Sequence, residues 1–317
     1  MTPPLTIVTG FLGSGKTTLL RALVEGGAGG RRLALVVNEF GQVGLDGAAL
    51  ARAGAAPVVE LAGGCLCCAA GSDFLLAVEE LLDYAPDQIL VEASGLAEPG
   101  GIIRRAQGAG LTIDAIIAVA DALNLEEALT ASPVAEWQLR AADLIVLSKV
   151  DVATPAARAA AESRLRALNQ RAAILPAAHG RLPAELLFGP RLPGDAPQPA
   201  AEHLGDDGFT SLSWSGDLPL RRAALEAFLD TLPPSVYRAK GLVHCTDAPW
   251  PDELQLVCGR WRLSAVRLRE SASPLNRIVL LGRELDERGP ALIAALEACA
   301  DTPERAAAWR ERYEALF

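Results

Sequence analysis

Short apolar runs alternate with stretches of helical spacing over the first two-thirds of the chain. Nearly continuous apolar runs predict buried strands at residues 5–9, 31–38, 57–61, 88–92, 113–121, 143–148 and 172–175. Apolar residues at helical spacing predict helices at 17–24, 74–82 and 156–168, and a further helix through Trp137 and Leu139. Such an alternation is typical of a parallel sheet covered on both faces.

The pattern changes near residue 189. Residues 189–199 contain four prolines and two glycines, which predicts a linker. Beyond it, strands are predicted at 209–214, 236–245, 253–257, 260–266 and 277–281, with helices at 220–232, at 289–299 and through Trp309 and Tyr313. Successive strands flanked by helices indicate a smaller α+β domain with an antiparallel sheet. We therefore expect one domain at 1–188, a linker at 189–207 and a second domain at 208–317.

Composition narrows the classes of partner. The 317 residues suffice for two domains, and half of them are hydrophobic. A net charge of −10 and a pI near 4.9 argue against a nucleic acid bound through its phosphates. The N-terminus lacks a signal-peptide pattern, and no apolar stretch reaches membrane-spanning length. Together with six cysteines, three of them within four positions, these features predict a cytoplasmic protein with reduced thiols and no membrane partner.

Residues 10–17, GFLGSGKT, form a phosphate-binding pattern between a predicted strand and a predicted helix. Glycines let consecutive backbone N–H groups turn toward an anion, and the helix N-terminus adds partial positive charge. Lys16 would reach the β- and γ-phosphates, and Thr17 would offer its hydroxyl to Mg²⁺. The alternative is a glycine-rich turn that binds nothing. The pattern predicts an α/β P-loop NTPase fold with a mostly parallel sheet, whose nucleotide ligands are Gly10, Gly13, Ser14, Gly15, Lys16, Thr17 and Thr18.

The identity of the base depends on residues 148–151, Ser-Lys-Val-Asp, which follow an apolar strand. The carboxylate of Asp151 would accept hydrogen bonds from the N1–H and the 2-amino group of guanine, which selects GTP over ATP. The stem of Lys149 would lie over the base. The usual motif is Asn-Lys-x-Asp, so Ser148 lacks an amide that normally helps to fix the loop. The alternative is an ordinary strand-end turn.

Acidic residues are needed to hold Mg²⁺ and to position the attacking water. Glu92 ends a predicted strand and begins a Glu-x-x-Gly motif, in which Gly95 would sense the γ-phosphate. We expect Lys16, Glu39 and Glu92 to serve catalysis, and Thr17 and Glu92 to hold magnesium. Asp46 and Asp121 are weaker candidates, and each of these acids could simply be solvated at the mouth of the sheet.

Cys65, Cys67 and Cys68 form a second cluster, on a loop that begins with two glycines. Three thiolates suit tetrahedral Zn²⁺, and also Cu(I) or Co²⁺, with Glu39, Glu60 or water as a fourth ligand. The alternative is a set of small buried residues. Because the cluster lies between the phosphate loop and Glu92, occupancy by metal and by nucleotide would be coupled. The remaining cysteines, Cys245, Cys258 and Cys299, are predicted to be core residues.

The chain resembles the CobW-type P-loop GTPases, relatives of the hydrogenase and urease nickel-insertion GTPases. The similar segments are GFLGSGKTTLL at 10–20, VNEFGQVGLD at 37–46, GGCLCC at 63–68, VEASGLAEP at 91–99, SKVD at 148–151, YRAKGLVH at 237–244 and NRIVLLGRELD at 276–286. The resemblance implies GTP hydrolysis, at a low intrinsic rate, coupled to delivery of zinc or cobalt to a client protein. Gln42 and Ser148 depart from the family pattern, and no histidine-rich stretch is present.

Three hypotheses follow for the function. The first is a GTPase that delivers a metal and acts as a monomer or a nucleotide-dependent dimer. The second is a metal-sensing, nucleotide-binding regulatory protein with negligible turnover. The third is a P-loop kinase or ATPase with incidental cysteines. In the second domain, basic residues would dock the client metalloprotein or merely form a solvated sheet face; they are Arg238, Lys240, Arg260, Arg262 and Arg267.

Overall fold

The structure is a computed structural model, and it describes residues 3–38, 57–61, 71–190, 208–268 and 274–315. The polypeptide divides into two compact units, Met1–Phe188 and Gly189–Phe317. The predicted linker at 189–207 lies outside the described residues except for its first two positions. No helix in the described part of the chain is long and apolar enough to cross a membrane.

The described part of the first unit contains a seven-stranded parallel sheet. Its strands are β1 (Leu5–Thr9), β2 (Leu33–Asn38), β3 (Val58–Leu61), β4 (Gln88–Glu92), β5 (Ile113–Asp121), β6 (Leu144–Ser148) and β7 (Ala173–Ala177). They lie in the order β3-β2-β4-β1-β5-β6-β7, and each described pair is parallel. Every residue of β1, β4 and β6 is buried, so these central strands are covered on both faces. The predicted parallel α/β fold is confirmed.

Helices connect these strands. They are α1 (Lys16–Glu25), α2 (Gly71–Leu82), α3 (Pro99–Gly108), α4 (Leu125–Ala131), α5 (Pro133–Ala141), α6 (Pro155–Leu168) and α7 (Ala184–Phe188). Helices α2 and α3 pack on β1, β2 and β4 through an apolar cluster that includes Phe74, Leu81 and Ile102. Helices α4, α5 and α6 pack on β5 and β6 through a second cluster that includes Leu139 and Leu165. These contacts fix the helices that border the carboxyl edge of the sheet.

The second unit is an antiparallel α+β domain, as predicted. Strands β8 (Thr210–Gly216), β9 (Val236–Val243), β10 (Asp252–Val257), β11 (Arg260–Ala265) and β12 (Asn276–Gly282) lie in the order β11-β10-β9-β12-β8. The helices are α8 (Arg222–Asp230), α9 (Leu285–Glu297) and α10 (Pro303–Glu314). Helices α8 and α9 contribute to one apolar core with the sheet, and Trp309 and Tyr313 of α10 form a separate buried cluster.

Several predicted elements differ from the structure. Helix α3 was not predicted, because Pro99 and the two glycines after it resemble a turn; Pro99 is instead at a first-turn position, where its missing N–H is tolerated. The predicted helix through Trp137 and Leu139 is present as α5, which Ser132 caps by accepting a hydrogen bond from Val134 N–H, whereas the separate helix α4 before it was not predicted. Helix α9 begins before residue 289 and continues through Pro290, whose fixed φ suits a helix although its ring removes one hydrogen bond.

The prediction that Cys258 is a core residue is wrong. Cys258 is only partly buried and lies in the turn between β10 and β11 with a φ of +45°. Cys245 and Cys299 are buried, as predicted.

Candidate nucleotide site

The phosphate loop leaves the carboxyl end of β1, at the position where the chain order of the sheet reverses. Strand β1 lies between β4 and β5, and such a switch point is the usual ligand crevice of open α/β sheets. Gly10, Gly13 and Gly15 have φ values of +140°, +70° and +99°, which disfavour residues with a Cβ. A Cβ on Gly10 would lie 2.3 Å from Val119 O, so this glycine is also required by close backbone approach. Helix α1 begins directly after Gly15.

Lys16 lies folded against this loop. Its buried ammonium donates hydrogen bonds to Gly10 O at 2.9 Å and to Phe11 O at 3.4 Å. The curved loop therefore surrounds the Lys16 ammonium, beside the N-terminus of α1. Phosphate oxygens are stronger acceptors than these carbonyls, so the arrangement suits a polyphosphate.

Thr17 and Glu92 come together although they are 75 residues apart. Because β1 and β4 pair in parallel with Val8 opposite Glu92, the carboxylate lies at the same sheet edge as the loop. The Thr17 hydroxyl donates to Glu92 Oε1 at 3.0 Å, and Glu92 is only 5% exposed. A hydroxyl and a carboxylate are hard oxygen donors of the kind that Mg²⁺ takes beside substrate phosphates. These residues fit the magnesium role predicted for them.

Gly95, the last residue of the Glu-x-x-Gly motif, packs directly on the phosphate loop. A Cβ added to Gly95 would lie 2.8 Å from Leu12 N and 2.7 Å from Leu12 Cδ2. The carbonyl oxygens of Gly95 and Ala97 accept hydrogen bonds from the amide of Gln138 on α5. The sequence did not indicate Gln138, whose only signal was a polar residue in an otherwise apolar helix face.

Ser148 joins residues 148–151, the segment predicted to bind the base, to the phosphate loop. Its hydroxyl lies 2.6 Å from Ser14 O and 3.1 Å from Ala120 O and shares its single proton between these acceptors. The Ser148 hydroxyl therefore joins this segment to the phosphate loop, although serine lacks the amide that the usual motif has at this position. Lys149 follows in the left-handed region, with a φ of +58°.

Asp121 lies beside this segment rather than beside Thr17. Lys149 Nζ is 2.6 Å from Asp121 Oδ2, and Leu123 N–H and the Asn124 amide also donate to this carboxylate. Burial opposes ionisation of Asp121, but these hydrogen bonds outweigh it and hold its pKa below the usual value. The structure thus gives Asp121 a partner in the base loop, although it was considered as a magnesium ligand.

His179 is a site residue that sequence reasoning missed. It follows β7 in a short 3₁₀ turn, Ala178–Gly180, with a φ of +53°. Its backbone N–H donates to Asp151 Oδ1 at 3.3 Å, and its ring Nδ1 lies 3.4 Å from Asp151 Oδ2. A signal was present, because Ala-His-Gly follows an apolar strand at the carboxyl edge of the sheet. The adjacent Gly180 packs on the backbone of Thr18, which joins this turn to α1.

Cys65, Cys67, Cys68, Glu39 and Asp46 lie outside the described residues. Among the residues that are described, no group of three or more His, Cys, Asp or Glu residues could hold a metal ion. Strand β3 ends at Leu61, immediately before the cysteine segment, and it does so at the carboxyl edge of the sheet.

Comparisons with known proteins place these features in a family. The profile described as "CobW/HypB/UreG, nucleotide-binding domain" matches residues 4–176, and that of the "Cobalamin synthesis protein cobW C-terminal domain" matches residues 209–300. A protein named "Zinc chaperone CobW" from Pseudomonas aeruginosa is 36% identical over 223 residues, which cover 59% of each chain. One of the same name from Sinorhizobium sp is 33% identical over 220 residues, covering 59% of this chain and 62% of that protein.

Among solved structures, Zn(II)-bound YjiA GTPase from E. coli matches with a TM-score of 0.46 and 25% identity, covering 95% of this chain and all of that one. The chain spans about three fifths of the length of the curated relatives named above. The profile match covers more than half of the chain and contains the phosphate loop, the Glu-x-x-Gly motif and the base loop. The chain belongs to the family of CobW/HypB/UreG nucleotide-binding domains.

Proposed function

We propose that this protein is a GTP-dependent metallochaperone, which binds a transition metal at Cys65, Cys67 and Cys68 and couples GTP hydrolysis to metal transfer. The observation that carries the proposal is the convergence of motifs at one sheet edge. The Thr17–Glu92 pair lies there, and β3 ends at the same edge at Leu61, four residues before Cys65 in the sequence. Zinc is the favoured cargo, because thiolates suit it and two similar proteins are named zinc chaperones. Cobalt remains the alternative cargo.

The register of the sheet supports coupling between the metal site and the nucleotide site, because it places the end of β3 near Glu92. Val37 of β2 pairs with both Glu60 of β3 and Glu92 of β4. Strand β3 therefore ends one residue beyond the level of Glu92. Two strand spacings separate these positions, which is about 10 Å. The end of β3 is thus about 10 Å from the level of Glu92, which supports coupling between a metal bound after β3 and the nucleotide.

The residues of the site have distinct roles in the proposed hydrolysis. Lys16 and the loop amides of Gly13 and Gly15 bind the β- and γ-phosphates and stabilise charge as it moves to the leaving oxygen. Thr17 and Glu92 hold Mg²⁺, which neutralises phosphate charge when it is bound. Glu39 and Glu92 orient the water that attacks the γ-phosphorus. The bond from that phosphorus to the β-phosphate oxygen breaks, and the products are GDP and inorganic phosphate.

Guanine selection is assigned to Asp151. Its two carboxylate oxygens match the paired N1–H and 2-amino donors of guanine, whereas adenine has no such pair. His179 N–H donates to Oδ1 of this carboxylate and holds it in place. Ser148 and the stem of Lys149 complete the base loop, and the tether from Ser148 to Ser14 O links it to the phosphate loop. A clear preference for ATP in competition would instead favour the kinase or ATPase hypothesis.

Partners and location follow from the same chemistry. A client metalloprotein would receive the ion, with the second unit helping to dock it. Nucleic acid and membrane are not expected partners, and the protein would act as a monomer or as a dimer that depends on nucleotide. Free thiolates require a reducing environment, so we place the protein in the cytoplasm.

Equilibrium dialysis of zinc tests the coupling. Zinc affinity is measured in the presence of Mg²⁺ with GDP and with a non-hydrolysable GTP analogue, and we expect the two values to differ at least fivefold. Equal affinities would refute the chaperone mechanism. The triple variant Cys65→Ser, Cys67→Ser, Cys68→Ser should lose about one equivalent of zinc. The matched control Cys258→Ser, at a half-buried cysteine in a turn of the second unit, should retain it.

A second measurement separates the chaperone from the metal sensor. Release of phosphate from GTP is followed in the steady state with and without zinc. Turnover that responds to zinc supports the chaperone. Negligible turnover under both conditions, with zinc still bound, supports a sensor for which the nucleotide is a structural ligand.

A further inference from the structure

A buried glutamine joins helix α5 to the loop that follows β4. Gln138 has no exposed surface, and its Nε2 donates to Gly95 O and to Ala97 O, each at 3.1 Å. The two bonds use both amide protons. They connect positions 43 and 41 residues apart in the sequence, so they depend on the packing of the fold rather than on local structure.

Helix α5 presents this amide from a fixed position. Ser132 caps the helix, and Pro133 occupies its first turn. Ala135 and Leu139 are buried on either side of Gln138 in the sequence, and Leu139 belongs to the core that holds α5 against β5 and β6. A side chain anchored in this way loses little further entropy on holding the loop.

The opposite side of the same loop touches the phosphate loop. Gly95 lies so close to Leu12 that a Cβ would meet the Leu12 backbone nitrogen at 2.8 Å. Gly95 is therefore held between the phosphate loop and α5, while the neighbouring Leu96 side chain is exposed. Any shift of Gly95 toward or away from a nucleotide must change its hydrogen bond to Gln138, its contact with Leu12, or both.

The carbonyl end of Gln138 is unused. Gln138 Oε1 is buried and has no hydrogen-bond partner in the described part of the chain. Gln138 also lines a cavity of about 260 Å³ that extends along residues 10–14 of the phosphate loop and is bordered by α4 and α5. Buried amide oxygens without partners are uncommon, because each one loses its hydrogen bond to water. The cavity has room for a water or a rearranged backbone N–H, and either one would find a hydrogen-bond acceptor in Gln138 Oε1.

We infer that Gln138 is a positioning residue for the γ-phosphate response, holding the segment Ser94–Ala97 against the phosphate loop in the arrangement that a triphosphate requires. The inference rests on the proposed GTPase function, in which Gly95 senses the third phosphate. Gln138 would act through its hydrogen bonds to Gly95 O and Ala97 O. Its loss should therefore weaken binding of the triphosphate and leave binding of the diphosphate nearly unchanged.

The test is the affinity for two nucleotides, measured by titration with Mg²⁺ and without transition metal. Gln138→Met keeps the length of the side chain and removes both donors, and Gln138→Glu keeps its shape but places an anion against two carbonyls. We expect either change to weaken binding of a non-hydrolysable GTP analogue by about tenfold and of GDP by less than about twofold. The matched control is Gln88→Met, since Gln88 is also buried in this unit but donates to Thr6 Oγ1. It should leave the ratio of the two affinities unchanged.

The inference is overturned if the Gln138 variants bind both nucleotides equally more weakly, or if the Gln88 variant changes the ratio of the two affinities as much. Gln138 would then have only a structural role. Hydrogen exchange of the wild-type protein gives a second readout that does not depend on any variant folding. Peptides covering residues 93–98 and 134–139 should change protection together between the GDP and the analogue complexes. If the first changes and the second does not, Gln138 is not part of the response.

These outcomes are distinct from failure of the proposed metal function. If the protein distinguishes the two nucleotides through Gln138 but binds zinc with the same affinity in both complexes, the inference on Gln138 stands and the chaperone proposal is refuted. A protein whose exchange pattern is identical with GDP and the analogue has no phosphate-dependent loop, and that result refutes the inference whatever the zinc measurements give.

Discussion

Protonation of His244 is expected to destabilise the second unit. This histidine has no exposed surface, and its ring lies edge-on to Trp309 and Tyr313 at centroid distances of 5.6 and 5.0 Å. Its Nε2 is 3.1 Å from the Tyr313 hydroxyl. Burial lowers the pKa of His244 from 6.5 to about 4, opposed only in part by the Leu275 backbone and by the charge of Asp252.

The sign and size of the effect follow from linkage. Above pH 6.5 the imidazole is neutral in both the folded and the unfolded protein, so stability is complete. Between pH 6.5 and about 4 the unfolded chain binds a proton that the folded state does not, and stability falls as pH falls. The total loss is about 3 kcal/mol, and about 2 kcal/mol of it is lost between pH 7.5 and 5.0. Below pH 4 this group adds no further loss.

Urea unfolding at pH 7.5 and at pH 5.0, followed by tryptophan fluorescence, measures this change in the free energy of unfolding. His244→Phe is the matched variant, because it keeps an aromatic ring edge-on to Trp309 and Tyr313 and removes the titrating group. We expect the variant to lose about 2 kcal/mol less than the wild type over the same interval. The carboxylates and the other two histidines are present in both proteins and cancel in the comparison. An equal loss in both proteins would refute the assignment to His244.

Three further predictions concern the nucleotide site. Thr17→Ala or Glu92→Gln should weaken Mg²⁺-dependent GTP binding by about tenfold or more, with little change when Mg²⁺ is chelated; an equal effect in both conditions would contradict the magnesium role. Ser148→Ala should weaken GDP binding by about tenfold through loss of the tether to Ser14, whereas Ser148→Asn, with an amide donor, should restore it; nucleotide titration decides. Asp151→Asn should remove the preference for guanine and favour xanthine, whose 2-oxygen accepts a hydrogen bond, and a variant that still prefers GTP would refute the base assignment.

The parallel sheet was predictable because its strands are buried on both faces and therefore appear as continuous apolar runs. Strand Gln88–Glu92 was predicted with its observed bounds, and Thr17 and Glu92 were paired by their motifs. Turns were harder to recognise. Helix α3 begins with Pro-Gly-Gly, and Cys258 lies with Gly259 in the left-handed turn between the predicted strands 253–257 and 260–266, where a core position was not to be expected.

Contacts between distant segments that no motif marks could not be predicted from the sequence. Gln138 and Gly95, like His179 and Asp151, meet only because helices and strands pack in one particular order. A periodic pattern predicts which face of a helix is buried, but not which carbonyl oxygen accepts a hydrogen bond from a buried side-chain amide. The hydrogen bond from Ser148 to the phosphate loop could not be predicted for a related reason. The shorter side chain still reaches Ser14 O at 2.6 Å, and only the distance between two loops could have shown this.

The position of β3 bears on whether a metal can influence the phosphate site. Strand β3 has four residues and pairs only with β2 in the described sheet, so it is an edge strand. Displacing an edge strand disrupts one ladder, whereas displacing β1 or β4 would disrupt two and expose fully buried residues. A ligand that pulls on the segment after Leu61 therefore meets less resistance than one that pulls on the loop after Glu92. If metal and nucleotide are coupled, the movement should be concentrated at β3, and hydrogen exchange of residues 58–61 should respond to zinc while that of 5–9 does not.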